Sequence, residues 1–187
     1  MSQLTMRYYL VALLLPLLSA CGLISHKVSH STDLMLLPPS SAPQFGIQQQ
    51  KVTVIREGKK QQFLVFSEFT KSIVKVAVLV PTGQRLLTMQ YDGSEFTVQN
   101  DTNTVFPAKD IMAVMQFAVW QQDAIMKNYL ERAGWLVSIS AEQRELRQQQ
   151  QDVLVVQIQD GQIEIQHLLH QYQVIIEPLE ASSGSEK

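Results

Sequence analysis

The chain has 187 residues, 45% hydrophobic and 17% charged, which is enough for one packed domain and too apolar for disorder throughout. Fifteen basic residues against 17 acidic ones leave a formal charge of −2, which excludes the basic footprint of a nucleic-acid binder. A single cysteine excludes a disulfide within the chain.

Arg7 is the only base among the first twenty residues, and an apolar run from Tyr8 to Leu18, interrupted by Pro16, follows it. A basic start, an apolar core of roughly 7–15 residues and a small-residue exit are the marks of a secretory signal. The run is too short for a transmembrane helix, which needs about 17–25 apolar residues. The exit, Leu18-Ser19-Ala20-Cys21, resembles the bacterial lipobox. The resemblance implies a signal peptide over residues 1–20, cleavage before Cys21, and acylation of Cys21 on its thiol and new amino group. Gly22 stands where an aspartate holds many such lipoproteins at the inner membrane, so the implied destination is the outer membrane, facing the periplasm. Loss of Arg7 with the signal brings the charge to −3.

Residues 21–43 read as a lipidated tether. Serines, Pro38-Pro39 and Ser40-Ser41 favour an extended chain, although the apolar cluster Leu34 to Leu37 could dock. His26 and His30 are four apart, but no other ligand lies nearby and no metal site is expected. The glutamine runs, Gln48 to Gln50, Gln61-Gln62, Gln121-Gln122 and Gln148 to Gln151, are expected on solvated surface.

The folded region, expected over residues 44–180, opens with strands. Val52 to Ile55 breaks at Arg56-Glu57-Gly58-Lys59, and Gln62 to Phe69 resumes. Ser72 to Val80 alternates Val74, Val76, Val78 and Val80 against Ile73, Lys75, Ala77 and Leu79, and Pro81-Thr82-Gly83 ends it. Arg85 to Tyr91 follows, then Asp92-Gly93-Ser94 and a short strand over Glu95 to Gln99. Such short connections require an antiparallel meander.

The period then changes. Pro107 opens a helix whose stripe is Ile111, Met112, Met115, Ala118 and Val119, with Asp110 and Gln116 off it. Asp123 is expected to cap a second helical piece carrying Ile125, Met126, Tyr129 and Leu130, closed by Gly134. Methionines pack cores, and they also suit surfaces that accept apolar guests of varying shape. Strands return over Trp135 to Ile139, Val153 to Ile158, Ile163 to Leu169 and Tyr172 to Ile176, with Asp160-Gly161 as a tight hairpin turn. His167 and His170 are three apart. On a continuing strand they would face opposite sides, so shared metal ligation is not expected. Residues 181–187 are expected to be a disordered tail.

A lipobox, a tether, five strands, a helical insertion and a closing group of strands resemble the outer-membrane lipoprotein receptor LolB, and more closely the LolB-like lipoproteins of aryl-polyene gene clusters. The residues that carry the resemblance are Pro107 with the apolar helix through Trp120, Arg144-Glu145-Leu146 leading into the Val153 strand, and Tyr172-Gln173-Val174-Ile175-Ile176. It implies a mainly β fold: a strongly curved, unclosed antiparallel barrel with helices covering its mouth around an apolar cavity. It further implies an acyl or lipoprotein ligand, a LolA-like periplasmic carrier as partner, and a role in lipoprotein or lipid transfer. In LolB a loop with Pro-Leu-Gly helps deliver cargo into the bilayer. The matching loop here is Pro81-Thr82-Gly83, and threonine lacks the apolar reach of that leucine.

An acyl chain of ordinary length represents on the order of 10 kcal/mol of hydrophobic free energy, at about 0.8 kcal/mol per methylene, so it must be sheltered in transit. Phe63, Phe66, Val76, Val78, Leu87, Met89 and Phe96, with Met112, Met115 and Val119 above, are the expected lining. The same residues could equally fill a solid core. No catalytic constellation is visible, since the histidines lie in the tether or at a strand end and the acids Glu57, Glu68, Asp92 and Glu95 are scattered. The expectation is a monomeric, non-enzymatic protein without a cofactor. The alternative is an accessory lipoprotein that recruits a partner through an exposed strand edge.

Overall fold

The computed structural model describes residues 34–130 and 133–179, which form ten strands and two helices. β1 (Gly46–Arg56), β2 (Lys59–Phe69), β3 (Val74–Leu79), β4 (Arg85–Tyr91) and β5 (Phe96–Asn100) precede the helices α1 (Ala108–Val119) and α2 (Gln122–Asn128). β6 (Trp135–Ile139), β7 (Gln143–Gln148), β8 (Gln151–Gln159), β9 (Gln162–His167) and β10 (Tyr172–Pro178) follow. All the strands lie in one antiparallel sheet in the order β5-β4-β3-β2-β1-β10-β9-β8-β7-β6. Strands adjacent in sequence pair throughout except β5 and β6, the two edges, between which the helical insertion enters. Pairing of β1 with β10 joins the two meanders into one curled, unclosed sheet. Among the described residues no helix is long and apolar enough to cross a membrane.

Two-residue turns set the registers. Glu57 and Gly58 (φ 52° and 73°) and Asp160 and Gly161 (φ 52° and 79°) place both central residues at positive φ, the backbone that matches the twist of paired strands.

Register assigns the faces. Ser67 lies opposite Val76 and Val65 opposite Val78, while Val76 lies opposite Met89 and Val78 opposite Leu87. These side chains share the inner face, on which the helices and the other half of the sheet, through Leu146, Leu154, Val156 and Ile165, build one core. α1 is buried almost all round: Met112, Ala113, Val114, Gln116, Phe117 and Ala118 are all buried. A helix apolar on every side needs cover on every side. The sheet supplies one, α2 another, and residues 34–42 the third.

That last cover departs from the tether expected over residues 21–43. Leu34, Leu37, Pro39 and Ala42 are buried, so residues 34–42 belong to the packed unit. β1 starts at Gly46 rather than at Val52, because the Gln48 to Gln50 run pairs with β2. β7 was not foreseen as a strand. Asp123 lies inside the first turn of α2, which starts from Gln121 without a side-chain cap.

Candidate functional site

The strap formed by residues 34–42 is held by side chains instead of by a sheet ladder. The Gln116 amide donates to the Leu37 carbonyl (3.0 Å) and accepts from its N–H (2.7 Å). The Tyr129 hydroxyl accepts from Met35 N–H and donates to Met35 C=O, both at 3.1 Å. Trp120 Nε1 donates to Pro38 C=O (3.1 Å). Buried backbone groups need partners wherever they are, and here Gln116, Trp120 and Tyr129 supply them for five groups of the strap. Behind these anchors runs an aromatic chain of edge-on contacts: Phe117 with Tyr129 at 5.7 Å and Tyr129 with Trp135 at 5.1 Å. Burial pushes the Tyr129 hydroxyl well above its ordinary pKa.

At the same, C-terminal end of α1, Arg144 of β7 turns to the inner face and donates from Nη1 to the carbonyls of Phe117 (3.0 Å) and Trp120 (2.8 Å). A cation on the last carbonyls of a helix satisfies groups that have no partner within the helix and complements its dipole. Desolvation lowers the pKa of this guanidinium from its ordinary value.

The ten residues expected to line an acyl cavity separate into three groups. Val76, Leu87, Met89 and Met112 share the inner face and are 2% exposed or less, so they are packed into the core. Phe63, Val78, Phe96, Met115 and Val119 also pack on this core but stay half-buried. Phe66 does not belong with them: it lies opposite Gln49 and Ala77, on the outer face of the sheet, because β2 turns Val65 and Ser67 inward.

Two open apolar hollows remain beside the packed core. One, of about 390 Å³, lies between β5, the start of α1 and the strap, lined by Leu34, Phe96, Val98, Phe106, Pro107 and Asp110 among others. The other, of about 490 Å³, lies at the mouth of the β2 and β3 pair, lined by Lys60, Gln61, Gln62, Phe63, Val80 and Pro81. Both are open to solvent and not enclosed. The pairing of β2 with β3 thus brings Phe63 to the Pro81-Thr82-Gly83 loop, whose three residues are exposed. Cys21, the tether before Leu34 with His26 and His30, and the tail over 181–187 lie outside the described residues.

The sequence reading also missed a polar cluster. β9 ends at His167 and the chain turns, so His170 comes back over it with ring centroids 4.3 Å apart, instead of pointing to the opposite face of a continuing strand. Asp110, in the first turn of α1, lies 3.8 Å from His167 Nε2 and accepts a hydrogen bond from the Tyr172 hydroxyl at 3.3 Å. Burial, then the Asp110 charge, push the Tyr172 hydroxyl far above its ordinary pKa. The signal that could have exposed the pair is Gln171 between His170 and Tyr172: a polar hairpin turn there ends the strand at His167.

Fold and site together define a curled antiparallel half-barrel whose inner face is roofed by two helices and an N-terminal strap. The chain belongs to the family DUF3261, described as a protein of unknown function, whose model matches residues 48–180. Comparison with curated proteins finds no match.

Proposed function

We propose that this protein is an outer-membrane lipoprotein, anchored at its periplasmic face through Cys21, that receives an acyl chain on the inner face of its half-barrel. It takes part in passing lipoproteins or other acylated molecules, an aryl-polyene lipid among them, to the membrane. The observation that carries the reading is the hollow lined by Leu34, Phe96, Val98 and Phe106. It is apolar, it opens beside the core, and one of its walls is the strap that leads back toward Cys21.

The packed interior suits this role if the strap gives way. Leu34 and Leu37 fill space on the inner face that an acyl chain of comparable chemistry can take, at the cost of the five hydrogen bonds that hold Met35, Leu37 and Pro38. At about 0.8 kcal/mol per buried methylene, a chain of a dozen carbons gains on the order of 10 kcal/mol, against which stand the lost burial of Leu34 and Leu37 and the partners lost by Gln116, Trp120 and Tyr129. The second hollow adds an approach to the bilayer. Phe63, Val80 and Pro81 form an apolar rim with Lys60 beside it, and Thr82 makes insertion of this loop shallower than a leucine would.

The test is titration of the chain lacking residues 1–21 with a fluorescent fatty acid. Saturable, blue-shifted emission that Val98→Asp and Phe106→Asp weaken is the expected outcome. Absence of binding at every acyl length tried would overturn the proposal. It would favour an accessory role through the unpaired edge of β5, where Val98 is exposed.

A further inference from the structure

His167 is 1% exposed, and its Nε2 has no hydrogen-bond partner. An imidazole nitrogen buried without a partner costs free energy unless something absent from the protein chain meets it. Its other nitrogen is accounted for: Nδ1 accepts the backbone N–H of His170 at 3.3 Å. Nε2 is therefore the atom to explain. It is aimed at Asp110 Oδ2, but 3.8 Å is too long for a hydrogen bond.

The surroundings of Nε2 are a ligand set. One donor atom each from Asp110, His167 and His170 lie within 4.8 Å of one another. Two imidazoles and one carboxylate with a side open to solvent are a recurring donor combination for zinc and related divalent ions. Donors on a tetrahedral ion with bonds of about 2.0–2.1 Å stand ~3.3 Å apart, so the set needs to contract. His170, exposed on a four-residue turn, has the freedom to do so, while Asp110 and His167 are held by α1 and β9. The Tyr172 hydroxyl on Asp110 Oδ2 is the outer partner that orients a ligating carboxylate.

We propose that Asp110, His167 and His170 bind a divalent transition-metal ion of the zinc class, with the remaining coordination position open to solvent or to a ligand. Binding at Nε2 moves the imidazole proton to Nδ1 and gives up the long contact with His170 N–H, a rearrangement confined to the exposed turn. The ion ties the first turn of α1 to the β9–β10 turn. Because Asp110 also lines the hollow beside β5, it stands at the rim of the apolar site.

The experiment is calorimetric titration of the full mature chain with ZnCl₂ and CuCl₂, paired with thermal unfolding. One ion per chain and a raised midpoint are expected. His170→Ala and Asp110→Asn should each weaken binding at least tenfold, and Tyr172→Phe should weaken it less. His170 is exposed, so its substitution should leave the midpoint without metal unchanged. The other two histidines, His26 and His30, are the control: replacing both with alanine should leave the site intact. Absence of binding, or binding that survives His170→Ala and disappears with His26 and His30, would overturn the proposal. The acyl titration is read separately, so failure of either proposal leaves the other standing.

Discussion

Gln116 and Leu37, 79 positions apart, meet as a reciprocal pair in which one side-chain amide satisfies both the N–H and the C=O of one backbone residue. Gln116 is inaccessible to solvent and so is Leu37. The pair makes the strap part of the fold, because neither partner can reach water if the other is removed.

Replacing Gln116 with leucine preserves volume while stranding two buried backbone groups. At about 1–3 kcal/mol for each unsatisfied group, the substitution should cost ~2–6 kcal/mol, read as a lower urea midpoint. Limited proteolysis should then cut within residues 34–42 first. A loss below about 0.5 kcal/mol would show that the strap contributes little to stability.

Arg144→Met keeps much of the aliphatic stem and removes the donor that caps α1. Two charge-assisted bonds to the carbonyls of Phe117 and Trp120 are lost, and about 2–3 kcal/mol of stability should go with them. Arg144→Lys should recover only part, because both bonds leave the terminal Nη1, which stands one bond farther from the backbone than a lysine ammonium. Equal stability of Lys and Met variants would overturn the capping role.

Alkaline pH should unfold the protein through its tyrosines. Tyr129 and Tyr172 are held protonated by burial, so their folded pKa values lie above the unfolded value. The sign follows directly: their contribution is fully present below pH ~10 and is lost as pH rises beyond it, since the unfolded chain ionises first. Absorbance of tyrosinate should therefore show these two appearing together with the loss of near-ultraviolet circular dichroism. Smooth titration of both near pH 10 in the folded protein would contradict the burial.

Much of the sheet was legible from side-chain alternation. Val74, Val76 and Val78 against Lys75 and Ala77, and Leu87 and Met89 against Thr88 and Gln90, have a period of two that only a strand satisfies, and the short turns dictate antiparallel pairing. β7 was opaque for the opposite reason. Gln143 to Gln148 contains a single apolar residue, Leu146, and its strand geometry comes from β6 and β8 on either side. The candidate lining was half legible: nine of ten residues share the inner face, and Phe66 was misplaced because Phe63 to Phe66 is apolar on both faces.

By itself, the sequence determined most of the strands, both helices and the antiparallel meanders, because each depends on residues a few positions apart. Tertiary structure alone decided that the strap is buried, that Gln116 faces inward, that Arg144 caps a helix, and that His167 and His170 stack beside Asp110. Those relations bring together residues from elements distant in the chain, and they arise when a curled sheet closes over a helix and buried polar groups meet partners across the fold.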